Sequence, residues 1–360
     1  MKNYYFIIIA LLCYSCNTSN KSDKYKDAER FTMQDIPETV SLTGKEIDFD
    51  EIIIPSRYFT IVDTVLVITN SQTEHVIHCF DVKNHKKVAE FVRRGNGPDD
   101  IVDPTNVQFV DTCIWIFDIQ QQIIRQYGKL DIRLPISPKS LNSVRLKVFS
   151  NRALVLPEQD RFIASTIQPE KKRFILYNME GNILNEFGDF PELIINTPMT
   201  PIEAIESFIG NLLYSNDKFI FVCNRTDLIE IYNFDGSLNK RLHGPDGFIP
   251  YLKQRDVGGG GVAAGGDRTR SREGYFSPVV YGNELWVMYD GRYSRDVDSA
   301  HLKNTIIVFN LDEGKPIRLI QLDKDILRFT IDEKNNVMYG ISSDPEYHIV
   351  QFDLNMQKTP

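Results

Sequence analysis

Six times along this 360-residue chain an aromatic residue closes a run rich in Val, Ile and Leu, usually with Asn or Asp next and a tight turn after it. The six are Phe80, Tyr127, Tyr177, Tyr232, Phe309 and Phe352, spaced 47, 50, 55, 77 and 43 residues apart. Self-similarity at ~40–50 residues marks a unit of a few short strands that cannot bury its apolar faces alone and must stack on its neighbours. Six anchors predict six units, and the 77-residue interval predicts an insertion between the fourth and fifth. Turn chemistry agrees, because Gly181 and Gly236 follow Glu180 and Asp235 where a hairpin needs positive φ.

The unit is clearest from Phe91 to Gly128. A turn cluster (Gly95, Gly97, Pro98) precedes an alternating run, a polar turn at Asp111-Thr112, a second run ending in Asp118 and a third ending in Tyr127. In the first unit, Tyr58–Val62, Val65–Thr69, Val76–Phe80 and Lys87–Val92 read as four strands separated by polar turns. The last unit offers only Leu327–Ile331, Val337–Ser342 and His348–Phe352, so a closed ring needs one strand from elsewhere. Glu46–Ile54 is the natural donor, and closure from both chain ends removes free sheet edges. The expected fold is all-β: a six-bladed β-propeller whose last blade is closed by an N-terminal strand, in preference to an irregular pair of β-sandwiches.

Gly95, Gly97, Pro98, Pro104, the run to Phe109, Asp118, and Ile124 to Tyr127 before Gly128 fall in an order that resembles an NHL-type repeat. Over its whole length, leader included, the chain resembles bacterial lipoproteins with a TolB-like six-bladed propeller. The resemblance implies binding of proteins, nucleic acids or small ligands, with metal-dependent lactonases and lyases as a minority of such folds; fold alone does not choose among them.

Lys2 and a nine-residue apolar run, Tyr4 to Leu12, lead into Cys13-Tyr14-Ser15-Cys16. Nine residues are too few to span a bilayer, which takes ~20, so residues 1–15 read as a secretion signal. A small residue before Cys16 resembles a lipobox, which makes Cys16 the expected lipid attachment; Cys13 stands where Leu is usual. Residues 16–40, polar and charged, are expected to form a flexible tether with a reach of ~25 Å, and residues 41–360 a single propeller. The expected location is the outer membrane, facing the periplasm or the cell surface, with the membrane as one partner through the lipid.

Asp and Glu number 49 against 41 Lys and Arg, for a net charge of −8. That balance argues against nucleic acid, whose phosphates need concentrated positive charge. The expected partner is a protein, peptide or glycan, bound by a monomer. Cys79, Cys113 and Cys223 sit in apolar runs, are odd in number, and are expected as small core residues rather than a disulfide framework.

The insertion, 247–276, carries glycines at 258–261 and 265–266 and then Arg268, Arg270 and Arg272. No Gly-Lys-Ser/Thr follows, so a flexible surface loop is expected instead of a phosphate cradle. With Arg255, and with Arg94 on the first interblade connection, these arginines are the expected binding residues, since guanidinium forks pair well with carboxylates and phosphates. His75, His78, His85, His243, His301 and His348 lack metal-ligand spacing, and strand alternation puts His75 and His78 on opposite faces. No cofactor is expected. Calcium finds only two acidic pairs, Asp99-Asp100 and Asp48 with Asp50 on one face of the closing strand, without a calcium-loop pattern. No catalytic residue is expected. Two readings follow: a membrane-anchored binding or scaffold propeller, and, as the alternative, a metal-dependent hydrolase or lyase with its site at the central channel.

Overall fold

The computed structural model describes residues 21–51, 58–110, 113–128, 132–133, 138–156, 160–168, 170–194, 198–215, 217–258, 261–297 and 301–355. The leader, Cys16 and the Asp111-Thr112 turn lie outside these residues. Six antiparallel sheets form the blades. Blade 1 comprises Phe59–Val62, Val65–Thr69, His75–Asp81 and Lys86–Arg93, each boundary within one residue of the expected strands. Blades 2 to 5 begin with inner strands Pro104–Val110, Ser150–Leu156, Gly210–Ser215 and Tyr275–Tyr281. Blade 6 contains Arg328–Asp332, Val337–Ser342 and His348–Asp353, and its fourth strand comes from the N-terminal part of the chain. That strand is Gly44–Ile47, antiparallel to His348–Asp353; it ends before Asp48, so most of the expected Glu46–Ile54 segment lies beyond it, with 52–54 outside the described residues.

The six anchors all lie on the third strand of their blades, and each belongs to a different apolar core between two consecutive blades. Tyr127 packs with Val65, Ile77 and Val107 between blades 1 and 2, and Tyr177 with Trp115, Ile124 and Phe162 between blades 2 and 3. Tyr232, Phe309 and Phe352 do the same at the next three junctions. Phe80 packs with Tyr339 and Ile341, which closes blade 6 onto blade 1. Inner-blade strands such as Val65–Thr69 are buried along their whole length because a neighbouring blade covers each face, which is why they read as unbroken apolar runs. Asp118, wholly buried, accepts backbone N–H bonds from Val102 (2.6 Å), Gln120 (2.9 Å) and Gln121 (3.1 Å), so it ties down a turn.

Residues 21–40 are not a free tether. Tyr25, Ala28, Phe31 and Ile36 are buried, Glu29–Arg30 runs parallel to the end of blade 4's outer strand, and Glu38–Leu42 runs parallel to blade 5's outer strand. The polar composition misled because its charges pair with the blades: Glu29 with Lys240 at 3.0 Å, Asp27 with Arg241 and Lys26 with Glu192. The arm covers two sheet edges that would otherwise offer unpaired backbone groups.

Strand directions alternate within a blade. Connections from one blade's outer strand to the next blade's inner strand therefore open on the same face as the turns between second and third strands. This loop face carries the longest connections, among them helix α1 (Pro201–Ser207) and the insertion. No helix among the described residues is long and apolar enough to cross a membrane. Close strand packing within blade 4 gives one direct test. A Cβ on Gly210 would lie 2.2 Å from the Val222 carbonyl oxygen, so Gly210→Ala is expected to cost about 2 kcal/mol, read as a lower denaturation midpoint.

Candidate functional site

Inner strands of adjacent blades are not hydrogen-bonded into one sheet, so their side chains bridge the gaps. Gln108 receives the Val155 N–H at 2.6 Å and donates to the Val155 carbonyl at 3.1 Å, while Asn106 donates to the Ala153 carbonyl at 2.9 Å. Ser277 accepts the Phe329 N–H at 3.2 Å across blades 5 and 6. These strands enclose a central cavity of about 480 Å³ to which all six blades contribute. Its charged lining residues are Arg152 and Arg328, from blades 3 and 6, which face each other across a six-membered ring. Tyr58, Thr105, Asn211 and Tyr214 add polar groups, and no carboxylate, imidazole or thiol lines the cavity among the described residues. Arg328 opens its strand and Arg152 stands third in its own, so both sit toward the loop face. Two guanidinium groups without a carboxylate among the described lining residues make the cavity wall cationic; Arg152 also donates to the Asn151 carbonyl at 2.9 Å. The signal available in the sequence was the polar alternation on first strands, as in Asn106 and Gln108, but only the closed ring shows that these positions converge.

The insertion is an antiparallel hairpin, Leu252–Gly258 with Gly261–Gly266, and not a formless loop. Glycines expected in a flexible loop lie within strands instead: Gly258 ends the first at φ +83°, and Gly261, Gly265 and Gly266 belong to the second. Glu203 of α1 accepts the Gln254 N–H at 3.0 Å and pins the hairpin to the loop face. Bonds from the Thr200 and Gln254 backbones hold the Glu203 carboxyl below the usual range.

The expected binding arginines are largely engaged within the chain. Arg268 donates to the Ser294 carbonyl at 2.9 Å, and Arg272 to the Gly291 carbonyl at 2.6 Å and to Asp246. Arg270 lies 3.7 Å over the Tyr251 ring and donates to its hydroxyl at 2.7 Å. They brace the hairpin base against the 290–297 turn around a cavity of about 290 Å³. Arg255 is exposed on the hairpin, and Arg94 is exposed on the blade 1–2 connection, on the opposite side of the ring. The four insertion arginines are thus brought together without Arg94.

Other candidate groups are structural. Asp99 accepts from the Ser140 N–H and hydroxyl at 2.8 and 2.7 Å, and Asp100 from the Gly97 N–H at 2.9 Å. Asp48 and Asp50 lie exposed beyond the closing strand rather than on it. Among the described residues no cluster of three or more His, Cys, Asp or Glu is placed to hold a metal. His75 and His78, expected on opposite faces, both reach Glu90, at 3.1 and 3.6 Å. Burial pushes the Cys79 and Cys223 thiols up to about 12, which fits core residues; Cys113 is only half-buried. The Ser22 hydroxyl meets His243 Nδ1 at 2.7 Å, and Asp227 lies 3.2 Å from Nε2. All three are sealed from solvent, and Ser22 also accepts the Lys24 and Tyr25 N–H groups, so this line latches the arm rather than performing chemistry.

A member of the DUF4221 family from Bacteroides vulgatus superposes with a TM-score of 0.53 at 11% identity, over 87% of this chain and 95% of that one. Raptor of Chaetomium thermophilum superposes with a TM-score of 0.51 at 10% identity, over 88% of this chain and 29% of that one. At such identities the likeness shows the fold alone. Among curated proteins none matches the chain. The family described as a TolB-like six-blade propeller matches residues 34–334, from the N-terminal arm into blade 6, and the chain belongs to that family.

Proposed function

We propose that the chain is an exported lipoprotein, anchored through Cys16 to the outer membrane, that binds an anionic glycan or peptide in its central cavity as a monomer. One observation carries the ligand class: the only charged side chains lining the cavity among the described residues are Arg152 and Arg328. Guanidinium forks in a partly desolvated site favour carboxylate, sulfate or phosphate groups. The hairpin with Arg255, Arg268 and Arg270 stands on the same face, where it adds contacts to a larger ligand. In this reading Phe91–Gly128 is an NHL-type repeat serving the fold. A metal-dependent hydrolase or lyase would need charged oxygen or imidazole ligands from several blades at the axis, whereas the described lining offers neutral Asn, Gln, Ser, Thr and Tyr groups beside the two arginines.

Calorimetry with an acidic and a neutral oligosaccharide or peptide of equal length tests the proposal. The acidic ligand is expected to bind in preference, and Arg152→Gln with Arg328→Gln to weaken it about 10- to 100-fold each, from ~1.5–3 kcal/mol per charged hydrogen bond. Thermal midpoints should stay unchanged. Equal binding of both ligands, or unaltered affinity in the double variant, would refute the cavity as the site.

A further inference from the structure

Eight large apolar side chains are exposed among the described residues, and five of them stand on one face. Phe149 (44% exposed), Ile194 (51%), Val257 (65%), Tyr293 (40%) and Tyr347 (37%) lie on four successive loop-face regions and the last blade's second turn. The other three, Leu141, Ile183 and Leu184, lie near the starts of fourth strands, toward the opposite face. Aliphatic and aromatic tips on connections are suited to the interfacial layer of a lipid surface, where tyrosine keeps its hydroxyl wet.

Where the arm leaves the propeller decides what covers this face. Lys21 is bridged antiparallel to Glu29, and the next residue, Arg30, pairs with His243, the last residue of blade 4's outer strand. Lys21 therefore lies at the loop face. Five Cα steps separate Cys16 from Lys21, and at ~3.6 Å each they reach ~18 Å at most. A tether that short cannot let a ring of six blades turn its attached rim far from the bilayer. Lys21, Lys24 and Lys26 stand at that rim, with Asp23 and Glu192 beside them, so apolar contact rather than net charge holds the face down.

We propose that the loop face of the propeller rests on the lipid surface, with Phe149, Ile194, Val257, Tyr293 and Tyr347 as its contact points. This rests on lipidation of Cys16, and it restricts ligands to molecules that can reach a cavity mouth held at the membrane.

Single cysteines at Val257→Cys and Ile194→Cys on the loop face, and at Leu184→Cys on the opposite face, would carry an environment-sensitive dye in the full chain with Cys113→Ala. The purified lipidated protein is placed in phosphatidylethanolamine–phosphatidylglycerol vesicles containing spin-labelled lipid. Quenching at 257 and 194 is expected to exceed that at 184 several-fold. Equal quenching, or stronger quenching at 184, overturns the orientation. The mass of the mature N-terminus separates the two failures: an unmodified Cys16 removes the anchor and this proposal with it, whereas a lipidated chain with equal quenching removes only the orientation.

Discussion

Deleting residues 21–31 is expected to lower stability by on the order of 5 kcal/mol, seen as a large fall in the denaturant midpoint by intrinsic fluorescence. Tyr25 and Phe31 are 1% and 5% exposed, and each large side chain leaving such a site forfeits roughly 1.5–3 kcal/mol of apolar burial. Tyr25 also stands edge-on to His243 with ring centres 4.6 Å apart, and its hydroxyl meets Thr226 at 3.0 Å. With the arm gone, His243 loses Ser22 and Arg241 loses Asp27, which leaves buried polar groups short of partners. Burial already pushes the Asp227 carboxyl up despite its bond from His243, so the pocket has little tolerance for further polar loss. Tyr25→Ala alone should remove about 3 kcal/mol. A midpoint unchanged by the deletion would return these residues to the role of a free tether.

The second large effect centres on Glu230, which is wholly buried on blade 4. Its carboxylate receives Arg173 from blade 3, and Arg241 at 2.7 Å, and the Arg173 guanidinium lies 4.3 Å over the Phe221 ring. Arg173 and Arg241 are only 2% and 4% exposed, so Glu230→Ala would leave the Arg173 guanidinium in an apolar wall without its counter-charge and Arg241 with Asp27 alone. The expected cost is ~3–5 kcal/mol, measured as a midpoint shift. The triple variant Arg173→Met, Glu230→Leu, Arg241→Met should regain most of that loss, because apolar replacement removes the desolvation penalty of the ions as well as their attraction. Failure to recover would show that the ions set the alignment of blades 3 and 4 and do more than neutralise one another.

Neither the arm nor this ionic trio was legible in the sequence, for related reasons. Arg173, Glu230 and Arg241 are separated by 57 and 11 residues and look like ordinary surface charges until two blades meet. The arm's apolar residues, Tyr25, Ala28, Phe31 and Ile36, follow no strand or helix period, because they fill separate hollows rather than one sheet face. The hairpin was hidden by glycine, which lowers strand propensity when read locally but accepts backbone pairing once α1 holds the segment in place. The cavity was half-legible: Asn106 and Gln108 alternate on a first strand, whereas Arg152 and Arg328 gain meaning only from being opposite each other.

What the sequence determined by itself was the repeat: six aromatic anchors at nearly even spacing, four short strands to a blade, and an N-terminal donor to complete the last. These are consequences of local turn chemistry and of strands covered on both faces, and both leave their mark within a window of a few tens of residues. The tertiary structure decided which polar residues meet. It converted a supposed tether into part of blades 4 and 5, turned a glycine-rich loop into a hairpin, and set two arginines across a common axis. Such pairings join positions far apart in the chain, and only ring closure brings them within reach of one another.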